Sequence, residues 1–295
     1  MTDRPGFERI LLAVSPSPHS LAAVPLVVRL AAVANALVLV LHIWSPDEPT
    51  FDHRRRGLTV IEVEELLDRV LRQFRADRVH AVGETPTALS DRVPALVTAR
   101  ADSFRADLVV VGNPGPSELH SIFGAGRTHR LVAMSNRPVL AVGSDVRRWI
   151  GTPRRVLAVI GDESDAASLV RAVIDVTGPA SANVEMMHFS SGSTTLLDLI
   201  AGQLKSSGLN VSCIGADATR DPADQIVEAA NRTESDVIVI ASDRTSPGSL
   251  LPGDVAHRLL GAAPCAVLVV PPWTGPTGRG RLVSSSVTDP EQRSA

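Results

Sequence analysis

The feature that most restricts this chain is an internal repeat. Residues 9–15, RILLAVS, and 107–112, DLVVVG, return as RVLAVIG at 155–161 and DVIVIA at 236–241. Both halves also close alike, on RPVLAVG from Arg137 and on CAVLVVP from Cys265. Ala158 follows Ala13 by 145 residues, and Asp236 follows Asp107 by 129. Solenoid units run only ~20–50 residues, so a period this long is a duplicated domain. The second copy is shorter in its middle, where residues 45–58, SPDEPTFDHRRRGL, form an insert in the first. The boundary is expected near Ile150 to Arg154, where DVRRWIGTPRR is charged and without period. The expected units are 1–149 and 150–271, followed by a flexible tail over 272–295 that has no apolar pattern to offset its ordering entropy.

Each half alternates short Val/Ile-rich runs with amphipathic or Ala-rich stretches. The runs are 9–15, 36–43, 77–82, 107–112 and 138–143, then 155–160, 182–189, 210–215, 235–241 and 265–270. Continuous apolar runs of this kind are strands buried on both faces. Helices are expected between them, over 18–34, 59–75, 87–102 and 126–135, then 163–177, 192–207, 221–232 and 254–261. The pattern predicts an α/β fold of two open, parallel five-stranded sheets, doubly wound, in tandem. Ligands of such sheets bind beyond the carboxyl ends of the strands. The loops after Val14, Val111, Val159 and Ile240 are therefore the places for chemistry.

Several function classes are excluded early. With 29 basic and 32 acidic residues and a net charge of −3, the chain carries no electrostatic footprint for nucleic acid. Aromatics make up 3% and tyrosine is absent, so bases would find few stacking platforms. The basic run Arg54-Arg55-Arg56 reads as a solvated loop. Leu21 to Trp44 is apolar, but Arg29, Asn35 and His42 interrupt it, and a helix, turn and buried strand fit better than a membrane span. Two cysteines, Cys213 and Cys265, lie in strand-like runs and are expected to pack in cores. That cysteine count and the absence of an apolar leader suit the cytoplasm. The one lysine, Lys205, lies in AGQLKSSG, so there is no P-loop. The histidines show no metal spacing, and Ser17 and Ser20 lack a base and are expected to cap a helix.

At the strand ends, glycines and hydroxyls gather. Gly112 and Gly115 follow the fourth run, and Gly124, Gly126, Arg127 and Thr128 open the next helix, while Ser15-Pro16-Ser17 ends the first strand. Glycines admit a ligand close to the backbone, and a helix N-terminus offers free N–H groups to phosphate. This arrangement, with its closing strands, resembles the universal stress protein family. There one strand ends in Asp-Gly-Ser and a later one in Gly-x-x-Gly, nine residues, then Gly-Ser or Gly-Thr. The resemblance covers roughly 8–145 and 154–271. It implies a nucleotide-binding-like sheet of the adenine nucleotide alpha hydrolase-like type, a role in stress adaptation, and, in some members, ATP binding. It also implies pairing through the last strand, for which the segments around Leu140 and Leu268 are the candidates.

The halves depart from that pattern unequally. In the first, Ser15 stands for the family aspartate, and Ala125-Gly126 for the second glycine pair, with Ser17, Gly112, Gly115, Gly124, Arg127 and Thr128 completing the candidate cradle. In the second, Ile160 is aligned with the aspartate, Ala241 and Arg244 replace the glycines, and Asp254 is expected to cap the helix where a phosphate would sit. The expectation is a cytoplasmic, non-catalytic stress-response or regulatory protein, its two halves an internal pseudo-dimer that could itself form a homodimer. ATP or another adenine nucleotide is assigned to the first half only. The alternative is a protein–protein interaction module with degenerate pockets and a partner that the sequence does not name.

Overall fold

After their first arginine, strands β1 (Arg9–Val14) and β6 (Arg155–Ile160) are apolar and buried throughout, so each needs a helix layer on both faces. The computed structural model describes residues 6–45, 59–113, 125–143, 152–161, 166–189, 194–217, 219–241 and 253–271. In the first half, β1 leads to α1 (Pro18–Ala34), β2 (Leu37–His42), α2 (Val60–Ala76), β3 (Ala81–Glu84), a short 3₁₀ turn, α3 (Val93–Phe104), β4 (Leu108–Gly112), α4 (Ala125–Met134) and β5 (Val139–Val142). The second half repeats this order. After β6 come α5 (Ala166–Thr177), β7 (Asn183–His188), α6 (Thr194–Ser206), β8 (Asn210–Gly215), α7 (Pro222–Arg232), β9 (Val237–Ala241), α8 (Gly253–Ala262) and β10 (Ala266–Val270).

Within each half all strands are parallel, in the order 3-2-1-4-5 and its equivalent. The two expected sheets are in fact one. β5 and β10 pair antiparallel and join the halves into a ten-stranded sheet, β3-β2-β1-β4-β5-β10-β9-β6-β7-β8. The last strands of both halves are apolar on both faces and have no reason to stay as edges. Leu140 lies opposite Leu268, Val139 opposite Val269 and Ala141 opposite Val267. Leu140 and Leu268 are equivalent positions, so a local pseudo-twofold axis passes between them. The apolar clusters above and below the sheet each contain residues from both halves. At the N-terminus the Gly6 amide donates to Asp175 Oδ1 of α5 at 3.0 Å, a second tie between the halves.

Local rules explain most element ends. Ser17 caps α1, accepting from the Ser20 amide, with Pro18 in the first turn, and Asn35 ends the helix at φ 55°. The stretch from Leu21 to Trp44 is thus helix, left-handed turn and buried strand. Thr59 and Glu62 form a reciprocal capping box at α2. That helix runs to Ala76 and is followed by Arg78 at φ 58°, so β3 spans Ala81–Glu84, starting late in the expected 77–82 run and ending beyond it. Helix α3 starts at Val93 rather than near 87, because Trp44 and Thr87 bridge and the chain must first turn through Ser90–Arg92. Cys213 also differs from expectation: β8 is a sheet edge, and its thiol is exposed rather than packed in a core. The 46–58 part of the insert, the boundary segment 144–151 and the tail 272–295 lie outside the described residues.

Candidate functional site

The carboxyl ends of β1 and β4 meet the starts of α1 and α4, and this junction gathers the sequence-predicted residues. Ser15, 1% exposed, follows β1 and is held on every side. Its amide donates to Ser20 Oγ at 2.8 Å, and its hydroxyl lies 2.9 Å from that of Ser17. Ser17 Oγ in turn accepts from the Ser20 amide at 3.3 Å. The three serines therefore form a closed cap on α1, and the capping role expected of Ser17 and Ser20 extends to Ser15.

Gly112, the last residue of β4, is glycine for a reason the sequence does not display. A methyl group built on it would lie 2.6 Å from both the amide nitrogen and Cα of Ser20. The first turn of α1 rests directly on the β4 backbone, so the missing side chain serves helix packing. Gly126 is the opposite case. A methyl group there would meet nothing within 4 Å, and the residue sits open in the first turn of α4. Arg127 beside it is half-buried. Thr128 is fully buried, and its hydroxyl finds no hydrogen-bond partner, an unusual state for a buried polar atom. Gly115 and Gly124 fall outside the described residues.

Register now aligns the second half. Val14 pairs with His42 in β2, and Ile160 pairs with His188 in β7. Ile160 is therefore the counterpart of Val14, and Gly161, not the expected Ile160, stands where Ser15 does, because the register offset is one residue larger than the spacing of Ala13 and Ala158. The chemical consequence is unchanged, since neither isoleucine nor glycine offers a side-chain hydrogen bond. Ala241 matches Gly112, being opposite Val270 as Gly112 is opposite Val142. Helices α4 and α8 are both 10 residues long, so Ala256 replaces Thr128 and Val255 replaces Arg127. Both replacements are buried apolar residues. Helix α8 includes Gly253, which puts Asp254 inside the first turn rather than at the cap.

Three further features escaped sequence reasoning. The side-chain Nδ2 of Asn113, just after Gly112, donates to the Leu260 carbonyl of α8, reaching from the first half to the second, while its Oδ1 stays buried without a partner. Asp107 accepts from the Glu8 and Arg9 amides at 2.7 and 3.0 Å, and its equivalent Asp236 accepts from Arg154 and Arg155 at 2.8 and 2.9 Å. Each carboxylate pins the start of its half's first strand. Burial, opposed by these N–H groups and helped by Asp175, pushes the Asp107 carboxyl up to about 6. Finally, His129 of α4 stacks on His257 of α8, ring centres 3.3 Å apart and planes inclined by 22°. Their spacing of 128 residues equals that of Leu140 and Leu268, the one sequence signal that could have paired them.

A doubled, parallel α/β sheet with strand-to-helix junctions at the carboxyl ends defines a tandem protein of nucleotide-binding-like architecture. The model of the universal stress protein family matches residues 6–143 and 215–271, and the chain belongs to that family. No curated protein matches the chain. Among solved structures, a universal stress protein from Archaeoglobus fulgidus DSM 4304 aligns with 88% of this chain and 97% of its own, at 17% identity and a TM-score of 0.62. A functionally unknown protein from Pseudomonas aeruginosa PAO1 aligns with 90% of this chain and 93% of its own, at 16% identity and a TM-score of 0.55. At these identities the likeness is one of fold. Among the described residues no helix is long and apolar enough to cross a membrane, and no group of three or more acidic, histidine or cysteine side chains is placed to hold a metal.

Proposed function

We propose that the protein is a cytoplasmic, non-catalytic stress-response regulator, built of units 1–149 and 150–271, that retains an adenine nucleotide such as ATP in its first half alone. The observation that carries this reading is the first turn of α4, where open Gly126 adjoins Arg127 and a buried Thr128 hydroxyl without a partner. Backbone N–H groups at that turn would take phosphate oxygens, Thr128 would donate to one, and Arg127 would supply positive charge. Gly112 and Ser15 would form the inner wall rather than contact the ligand, and Gly115 and Gly124 belong to the proposed cofactor-binding set. The second half, with Val255 and Ala256 at the matching turn, would stay empty. Calorimetry with ATP tests this: one site per chain is expected, weakened about tenfold or more by Arg127→Ala and unaffected by Val255→Ala. Binding that survives Arg127→Ala and disappears on changing the second half would overturn the assignment.

A second reading is favoured by the Ser15–Ser17–Ser20 cap, which uses internally the groups that would hold an adenosine. On that reading the protein is an interaction module with closed pockets. Mass analysis of small molecules released by denaturing the purified protein separates the two: a stoichiometric nucleotide supports the first, and none, together with no heat of ATP binding, supports the second.

A further inference from the structure

We propose that the His129–His257 stack is a proton-sensitive latch between the two halves, closed while both rings are neutral and opened when both are charged. The pair is a contact between equivalent residues, so it lies on the same pseudo-twofold axis as the Leu140–Leu268 seam, one layer above the sheet. The seam is apolar backbone pairing and cannot respond to protons, whereas the helix layer can. His257 is exposed and His129 half-buried, with its Nδ1 buried and lacking a hydrogen-bond partner. One proton on the exposed ring can be borne, because a cation over a neutral ring is not repelled. A second must enter the half-buried ring, where no acceptor awaits it and a like charge lies 3.3 Å away. Burial first, and the charge on His257 second, hold His129 down to about 4, which agrees with that order.

Among the described side chains, the charged groups around the pair do not offset this. Helix α4 itself brings Arg127 and Arg130, and α8 brings Arg258, all of the same sign as the incoming protons. Helix α7, packed on α8, brings Asp224 and its capping residue Asp221, and both are engaged by Arg258. Helix α3, packed on α4, brings Asp102, paired with Arg137, and Arg100, paired with Glu84. The Asn113 contact to Leu260 is a non-titrating strut beside the latch, so opening loosens α4 against α8 without parting the sheet.

This inference is independent of nucleotide binding. Hydrogen exchange of the full chain at about pH 7 and about pH 4, corrected for the intrinsic rate, tests it. The α4 and α8 amides are expected to lose about tenfold more protection than β5 and β10 in the acid. The double variant His129→Phe/His257→Phe, which keeps stacked rings without protons, should show no such selective loss. Equal loss in wild type and variant would overturn the latch. Should the double variant fail to fold, His257→Phe alone decides by nuclear magnetic resonance: the His129 ring must titrate higher than in wild type, and an unmoved titration would equally overturn the proposal.

Discussion

The two halves share strand order and register, yet differ where their first and fourth strands run into the following helices. Ser15, Gly112, Arg127 and Thr128 of the first half meet Gly161, Ala241, Val255 and Ala256 in the second. Strand cores and the closing seam repeat faithfully because they are set by packing on both faces, which leaves little choice of residue. The turns are freer, and in the second half they have become apolar without disturbing the fold. A duplicated scaffold thus separates what builds the sheet from what its loop ends carry.

The seam provides the sharpest test of that equivalence. Leu140→Ala and Leu268→Ala should each destabilise by about 3–4 kcal/mol in urea unfolding, since both side chains are fully buried at one shared contact. Their effects should fall short of additive in the double variant. A difference above about 1 kcal/mol between the single variants would show that the two halves do not bear the seam equally.

Gly112 and Ala241 break the symmetry deliberately. Gly112→Ala should cost about 2–3 kcal/mol, because the new methyl meets backbone of α1 rather than a side chain that can turn aside. Ala241→Gly in the second half should cost about 1 kcal/mol, the ordinary penalty of glycine in a strand. Similar costs in thermal unfolding would mean that α1 is free to lift away from β4.

Asp107 makes the first half sensitive to pH. Its folded carboxyl titrates near 6, above the unfolded value of 3.8, so the folded state keeps a proton that the unfolded chain releases. That contribution is complete below about pH 4 and is lost as pH rises through 6, a fall on the order of 3 kcal/mol. Unfolding free energies measured across that range should decline in wild type and lose this slope in Asp107→Asn. A stability that instead rises by the same amount on account of Asp107 would contradict the burial of its carboxylate.

The smallest effect concerns the serine cap. Ser17→Ala should cost about 1 kcal/mol of stability and leave the Ser15 hydroxyl without its neighbour. If Ser17→Ala raises affinity for ATP by freeing Ser15, that hydroxyl belongs to the ligand and not only to the helix. No change in affinity would keep Ser15 as part of the scaffold.

Much of the architecture was legible in the chain. Continuous Val/Ile runs identified β1, β4, β6 and β9, and Asn35 marked the break between α1 and β2, because burial on both faces and a left-handed turn leave local signatures. The third strand of the first half was less legible: β3 is four residues at a sheet edge, with Val82 59% exposed, so it carries little apolar pattern. Cys213 was misplaced for the same reason, since nothing in NVSCIG says that no further strand lies beside it.

Sequence by itself determined the duplication, the parallel α/β class, the family, and the apolar segments that close each half. The class and the closing segments follow from periodicity and composition within a dozen residues, where backbone geometry and burial act directly on residue choice. The duplication follows from the long repeat, and the family from the resemblance of the strand-end motifs. Only the tertiary structure decided that the sheets fuse, that Gly161 is the counterpart of Ser15, that Gly112 serves α1, and that His129 meets His257. Each of these depends on where a distant segment comes to rest, and a residue's own neighbours in the chain carry no physical trace of that position.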